Sequence, residues 1–126
     1  VKRGLVAAAG GLVRLPSQIP YRVAMELALT GEFMGADRAM AMGLINQLTA
    51  PGEALATARA LAAQIAENGP LAVKVSKAII KASRDWGDDE AFTKQHALTQ
   101  PVFTSEDAIE GATAFAEKRK PQWTGR

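Results

Sequence analysis

The chain has 126 residues, of which 48% are hydrophobic, so it is long enough for one domain or part of one. Its net charge of +2 is too small, and its basic residues are too scattered, to favour a nucleic-acid-binding protein. The lack of cysteine excludes disulfides and suits a reducing compartment, the cytoplasm being the expected location. No apolar run approaches the ~18–20 residues of a membrane span.

A stretch of small residues, Ala7 to Gly11, lies near the start of the chain and leads into an apolar segment that Pro16 is expected to end. Small side chains let another backbone or a bulky ligand approach the main chain closely. A turn of this kind before a helix also leaves backbone N–H groups free to donate to an anion, a carbonyl or a water. It matches neither the Walker loop nor the dinucleotide fingerprint. Taken alone, the stretch is explained more simply by close helix packing.

Over the rest of residues 1–50, the spacing of apolar residues predicts two helices and one short strand. The helices run from Pro20 to Thr30 and from Ala36 to Met42, and the strand runs from Leu44 to Leu48. Gly31 and Gly43 directly follow the two helices, as expected of glycines that end a helix in the left-handed conformation. Glu26, four residues after Arg22, is interpreted as a surface ion-pair partner of that arginine and not as a catalytic base.

Beyond residue 50 the composition favours helices alone, and four are predicted. They run from Glu53 to Glu67, from Pro70 to Arg84, from Asp88 to Gln100 and from Thr104 onward. Gly69 is placed for a left-handed cap, Asp88 and Thr104 are placed for N-caps, and Pro101 is expected to end or kink the third helix. Gly111 costs the last helix roughly 1 kcal/mol relative to alanine, so close packing is its expected purpose.

The sequence contains no motif that by itself identifies a catalytic or metal-binding site. His96 is the only histidine, and no cysteine or carboxylate cluster accompanies it at a metal-ligand spacing, so no metal site is expected. No Gly-x-Ser-x-Gly elbow supports a nucleophilic serine. Chemistry therefore has to be inferred from the chain as a whole.

Four short motifs follow one another along the chain. They run from Gly4 to Pro16, from Ala24 to Gly31, from Gly43 to Asn46 and from Ser105 to Trp123. Their order and spacing resemble the second half of the crotonase (enoyl-CoA hydratase/isomerase) superfamily, and the resemblance covers essentially the whole chain.

The resemblance implies a fold class that is predominantly α with short β elements. It would comprise the C-terminal part of a crotonase-type α/β (ββα spiral) fold together with its helical oligomerisation segment. Residues 1–50 would then end the spiral core, and residues 51–126 would form the helical segment. In this family that segment packs between subunits, which implies a homo-oligomer, either a trimer or a dimer of trimers.

The resemblance also implies an enzyme that processes acyl-CoA thioesters. The first expectation is an enoyl-CoA hydratase of the fatty acid β-oxidation type, which adds water across the 2,3 double bond. An isomerase, hydrolase or decarboxylase stays open, as does a non-catalytic module for oligomerisation and CoA binding. Both catalytic glutamates of the family would lie before Val1, so the chain is expected to be a C-terminal portion that is inactive alone. No cofactor is implied, because coenzyme A is part of the substrate.

Three residues correspond to substrate-binding positions of the resembled family. The backbone N–H of Ala8 matches the group that holds a water, although hydratases commonly have glycine there and proline one residue earlier. Phe115 and Lys118 match positions at which a ring packs on the adenine of CoA and an ammonium faces a phosphate. The alternative is that Phe115 belongs to a core face and that Lys118 complements the C-terminus of its helix.

Overall fold

The computed structural model describes residues 1–126, and it is helical. Its seven α-helices are α1 (Gly11–Arg14), α2 (Tyr21–Thr30), α3 (Ala36–Ala41), α4 (Ala54–Ala66), α5 (Pro70–Ala82), α6 (Ala91–Phe103) and α7 (Glu106–Ala116). The chain divides into two compact units, Val1–Thr57 and Ala58–Arg126. None of the helices combines the length and the apolar character that crossing a membrane requires.

Small side chains form the buried centre of the first unit. Ala24 of α2 is 1% exposed and Ala39 of α3 is 8% exposed, and Ile19 is 6% exposed. Pro16 lies in a 3₁₀ turn, Leu15–Ser17, that directly follows α1 and packs against α2. Because proline has no N–H to donate, the regular series of α-helical hydrogen bonds is interrupted at Pro16, and α1 ends at Arg14, as the sequence predicted.

Glycines end α2 and α3 as predicted. Gly31 and Gly43 have φ angles of 64° and 74°, in the left-handed region. After α3, the N–H of Gly43 donates to the carbonyl oxygen of Met40 at 3.0 Å, and the N–H of Leu44 donates to that of Ala39 at 2.9 Å. These two bonds form a Schellman motif, which turns the chain sharply away from α3.

The strand predicted from Leu44 to Leu48 does not form, and residues 1–126 contain no β-strand. The predicted fold class was therefore wrong in its short β elements, whereas its predominantly helical character is correct. The N–H of Leu44 already closes α3, so it cannot take part in a ladder. A strand also needs a second extended segment to bond its backbone groups, and the described chain supplies none.

In the second unit α6 packs against both α5 and α7. The most buried positions of the second unit again have small or polar side chains. Ala114 of α7 is 1% exposed, and Ser105 is 7% exposed. Ser105 caps α7, because its Oγ accepts from the N–H of Ala108 at 3.0 Å. The N-cap predicted at Thr104 was therefore wrong by one residue. The Asp107 carboxylate instead bonds residues near the C-terminus.

Three other helix ends differ from the prediction. Gly69 has a φ of −55° and is not left-handed, and it lies buried against the indole of Trp123. Asp88 is not a cap, because a turn precedes α6 and the helix begins only at Ala91. Of the two outcomes expected of Pro101, an end or a kink, the end does not occur there, because α6 continues for two more residues. Within the last turn of a helix, proline removes only one backbone hydrogen bond.

Much apolar surface remains uncovered in the described chain. The accessible area is 10035 Å². Two separate globules with the masses of the two units would together expose only about 7,800 Å². The side chains that are between 72% and 101% exposed include Val13, Phe33, Phe92, Phe103 and Phe115. An excess of this kind is typical of a chain that packs against further protein.

Candidate functional site

The stretch of small residues turns tightly around Ala8. The N–H of Ala8 donates to the carbonyl oxygen of Val6 at 2.8 Å, across a three-residue turn. Gly10 follows with a φ of 99°, which favours glycine. A Cβ at Gly10 would lie 3.3 Å from the guanidinium of Arg14, which folds back over the turn. Ala8 itself is exposed, so one side of the turn is open to solvent.

An apolar cavity of about 250 Å³ lies beside this turn in the first unit. Its wall includes Leu5, Val6 and Ala7 from the turn, Leu12 from α1, and Leu27 and Leu29 from α2. No ionisable side chain lines it. The cavity can therefore hold an apolar group next to Ala8, but it supplies no acid or base.

Two carboxylates of the first unit, those of Glu26 and Glu32, form ion pairs. Glu26 accepts from both terminal guanidinium nitrogens of Arg38, at 3.0 and 2.9 Å, and not from Arg22, so the predicted partner was wrong. The planar guanidinium of Arg38 meets both carboxylate oxygens at once, a geometry stronger than a single exposed contact. Hydrogen bonds from Arg38 lower the pKa of Glu26. Glu32 is bonded to Lys2 at 2.5 Å. Neither carboxylate is free to act as a base.

The other two predicted site residues lie at the C-terminal end of α7. Phe115 is 87% exposed, so it does not belong to the core of the described chain. Lys118 has a φ of 55° and is the only non-glycine residue with a positive φ. The N–H of Lys118 donates to the carbonyl oxygen of Phe115 at 3.2 Å, and that of Arg119 to Ala114 at 3.0 Å. Lys118 thus takes the place in a Schellman motif that glycine usually holds.

Arg119 ties the end of α7 to the chain that follows. Its Nη1 and Nη2 donate to the two carboxylate oxygens of Glu110 at 2.6 and 2.9 Å, and its Nε donates to Glu117 at 2.6 Å. The N–H of Gln122 also donates to Glu110, at 2.6 Å. These bonds lower the pKa of Glu110 to about 2, and the bonds from Arg119 have the largest effect. The Glu110 carboxylate is therefore ionised at neutral pH.

Asp107 and Trp123 hold the last residues of the chain. Asp107 is 5% exposed and accepts from the N–H of Thr124 at 2.7 Å. Trp123 donates its indole N–H to the carbonyl oxygen of Glu67 at 2.8 Å. A Cβ at Gly111 would lie 3.3 Å from the Trp123 ring, which confirms close packing as the reason for this glycine. These two hydrogen bonds could not be predicted from the sequence, because they join residues 17 and 56 positions apart, beyond any helical spacing.

The candidate residues form two groups. Ala8 and its cavity lie in the first unit, and Phe115 and Lys118 lie together in the second. His96 is exposed on α6, and the structure brings together no group of three or more His, Cys, Asp or Glu side chains that could hold a metal ion. Neither group of candidates contains a free carboxylate placed for acid–base catalysis.

The chain is helical, with a turn of small residues near its start. Near its end, α7 is capped by Ser105 and followed by Lys118 in the left-handed conformation. These features are those expected of the C-terminal half of a crotonase-type protein. The family model for enoyl-CoA hydratase/isomerase matches residues 1–126, and the chain belongs to this family. The resemblance seen in the sequence is thereby confirmed.

Relatives and solved structures agree with this membership. Carnitinyl-CoA dehydratase from Salmonella arizonae is 39% identical over 98% of this chain and 49% of its own length. The solved structure of enoyl-CoA hydratase from Mycobacterium tuberculosis H37Rv is 58% identical, with a TM-score of 0.97 over 99% of this chain and 50% of that one. A probable enoyl-CoA hydratase/isomerase from Mycobacterium abscessus is 60% identical over the same shares, with a TM-score of 0.93. The chain spans about half the length of the relatives it matches.

Proposed function

We propose that the protein carrying this chain is an enoyl-CoA hydratase, which adds water across the 2,3 double bond of an enoyl-CoA thioester. The hydratase structure from Mycobacterium tuberculosis is 58% identical to this chain, whereas the carnitinyl-CoA dehydratases are 39% identical. Adding and removing water are two directions of one equilibrium, so both groups support a lyase that acts on acyl-CoA. The higher identity favours a simple enoyl-CoA over a carnitine derivative as the substrate.

The end of α7 would bind the nucleotide of coenzyme A. The observation that carries this assignment is the exposure of Phe115, 87%, beside Ala114, which is only 1% exposed. An exposed aromatic ring offers a free face on which adenine can stack. Lys118, three residues further on, makes none of the ion pairs of the structure, so its ammonium is available to a phosphate.

Ala8 would act at the reacting end of the substrate by holding the attacking water through its N–H. The present bond from that N–H to Val6 spans a three-residue turn, whose bent geometry is weak, so a water can compete for the donor. The apolar cavity beside the turn would accept part of the acyl group. The two glutamates that handle protons would come from the half that precedes this segment in the relatives. The reaction needs no cofactor beyond the coenzyme A of its substrate.

A second role, assembly into a homo-oligomer such as a trimer, is favoured by the uncovered apolar surface. The excess area of the chain is about 2,200 Å² relative to two separate globules, which exceeds the roughly 800 Å² that each partner buries in a stable protein interface. A non-catalytic module would use the same surface without turnover. Sedimentation of the complete encoded protein tests this role, and a strictly monomeric protein would contradict it.

The nucleotide assignment is tested with Lys118→Ala in the complete encoded protein. We expect the KM for crotonyl-CoA to rise about two- to fivefold, because exposed ion pairs contribute little. The kcat should stay nearly unchanged, since the contact holds the ground and transition states equally. The rise should shrink at high salt. Lys120→Ala, an exposed lysine two residues away, is the matched control. Equal KM values for wild type, Lys118→Ala and the control would remove Lys118 from the site.

A further inference from the structure

Lys118 adopts a conformation that its side chain disfavours. A Cβ atom crowds the following carbonyl oxygen at positive φ, and Lys118 has a φ of 55°. The corresponding positions after α2 and α3 are glycines, which adopt this conformation without a penalty. A strained residue persists only where its surroundings determine the backbone, and such residues occur preferentially at ligand sites. The contacts on each side of Lys118 are therefore expected to hold its backbone in this conformation.

Three side chains, Arg119, Glu110 and Glu117, hold the backbone around Lys118; we refer to them as the Arg119 clamp. Arg119 bonds Glu110, two turns back in α7, through two parallel contacts of 2.6 and 2.9 Å. Its Nε bonds Glu117 at 2.6 Å, so the residues before and after Lys118 are tied to each other. Lys118 itself contributes no side-chain bond to this arrangement, which leaves its ammonium free.

The chain beyond the clamp is also fixed. The N–H of Gln122 donates to Glu110 at 2.6 Å, and the indole of Trp123 donates to Glu67 at 2.8 Å. Thr124 is bonded to the buried Asp107 at 2.7 Å. The reversal at Lys118 thus lies between two anchored segments, α7 and residues 122–124, and the path of the backbone through it is determined from both sides.

We propose that the Arg119 clamp positions Lys118: it holds the left-handed conformation and so fixes the direction in which the Lys118 ammonium leaves the end of α7, toward a phosphate of the CoA nucleotide. This inference rests on the proposed function. Arg119 is a positioning residue and does not touch the substrate. Its guanidinium is required because a lysine ammonium cannot bond Glu110 through two parallel contacts and Glu117 through a third.

Arg119→Lys tests the inference, because it keeps the positive charge and removes the guanidinium that makes two parallel bonds to Glu110. The complete encoded protein is used, and the dissociation constant of CoA is measured by calorimetry, which does not require turnover. We expect CoA binding to weaken about two- to fivefold in the wild-type background, because this is the whole contribution that an exposed ion pair makes to binding. In the Lys118→Ala background, Arg119→Lys should have no further effect. Arg84→Lys, at an arginine that takes part in none of the ion pairs of the structure, is the matched control.

A truncated substrate separates positioning from general stabilisation. Crotonyl-pantetheine lacks the nucleotide, so its KM should be the same for wild type and Arg119→Lys, whereas the KM for crotonyl-CoA rises. Glu117→Gln, a milder change at an exposed carboxylate, should act in the same sense if Arg119→Lys proves unstable. Weaker CoA binding of equal size in both Lys118 backgrounds, or an equal rise in KM for both substrates, would overturn the positioning role. A wild-type protein that binds CoA but hydrates no enoyl-CoA would refute the proposed hydratase activity and leave the binding test of the clamp intact.

Discussion

Gly111→Ala is expected to destabilise the protein, although alanine is the better helix former. Gly111 lies inside α7, where replacing glycine by alanine ordinarily gains about 1 kcal/mol. The new Cβ would lie 3.3 Å from Cη2 and 3.4 Å from Cζ3 of Trp123. Contacts this short require the ring to move by a few tenths of an ångström.

A hydrogen bond and a packing contact fix the position of the Trp123 ring. Its indole N–H donates to the carbonyl oxygen of Glu67 at 2.8 Å, and the six-membered ring that faces Gly111 also lies beside Gly69, where a Cβ would be 3.6 Å from Cε3 and Cζ3. Overpacking at such a site costs about 1–3 kcal/mol. Set against the gain in helix propensity, the net loss in the free energy of unfolding should be about 1 kcal/mol.

Urea unfolding followed by circular dichroism measures this loss, and a double-mutant cycle isolates its cause. In a Trp123→Ala background the ring is absent, so Gly111→Ala should stabilise by about 1 kcal/mol. The sign of the effect is therefore expected to reverse between the two backgrounds. A stabilising Gly111→Ala in the wild-type background would refute the close contact between Gly111 and the ring.

Three further outcomes follow from the contacts described. Because Arg119 lowers the pKa of Glu110 from 4.5 to about 2, the stabilisation by this carboxylate is fully present above about pH 4.5 and is lost as the pH falls toward 2. The stability difference between wild type and Glu110→Gln, measured by urea unfolding across this range, should shrink with falling pH; a constant difference would contradict the assignment. Ala8→Pro should abolish most turnover while the fold persists in circular dichroism, because proline removes the N–H. Ala7→Pro should be tolerated, and equal kcat values for both variants would remove Ala8 from the site. Phe115→Ala should weaken CoA binding and loosen the oligomer in sedimentation, and a variant unchanged in both would leave the exposed ring without a role.

Local signals in the sequence were sufficient for most helix positions. The periodicity over Glu53 to Glu67 predicted α4 to within one residue at each end, and Pro70 correctly marked the start of α5. Gly31 and Gly43 identified two helix ends because left-handed glycines act through backbone bonds within a few residues. The resemblance along the whole chain predicted the family.

Features that depend on distant partners could not be predicted. The alternation from Leu44 to Leu48 is local, but a strand exists only with a second strand beside it. Thr104 and Ser105 are neighbouring hydroxyl residues, and only the folded geometry shows which of them caps α7. An amphipathic pattern assigns Phe115 to an apolar face without revealing what covers that face.

The candidate site shows the same division between local and distant information. Lys118 was selected through the resemblance, yet its positive φ has no sequence signature, because such positions usually hold glycine. The Arg119 clamp joins residues nine apart, a separation that no helical spacing rule relates. Backbone reversals bring these groups together, so the clamp appears only in the structure.

Hydration of crotonyl-CoA by the complete encoded protein tests the central proposal most directly. The reaction is followed by the loss of the conjugated enoyl thioester absorbance, with the isolated 126-residue chain as the comparison. We predict turnover by the complete protein and none by the isolated chain, because neither the turn at Ala8 nor the end of α7 presents a free carboxylate for acid–base catalysis. Absence of hydration by a folded, CoA-binding complete protein would contradict the hydratase assignment, and turnover by the isolated chain at the same rate would contradict the placement of its catalytic residues.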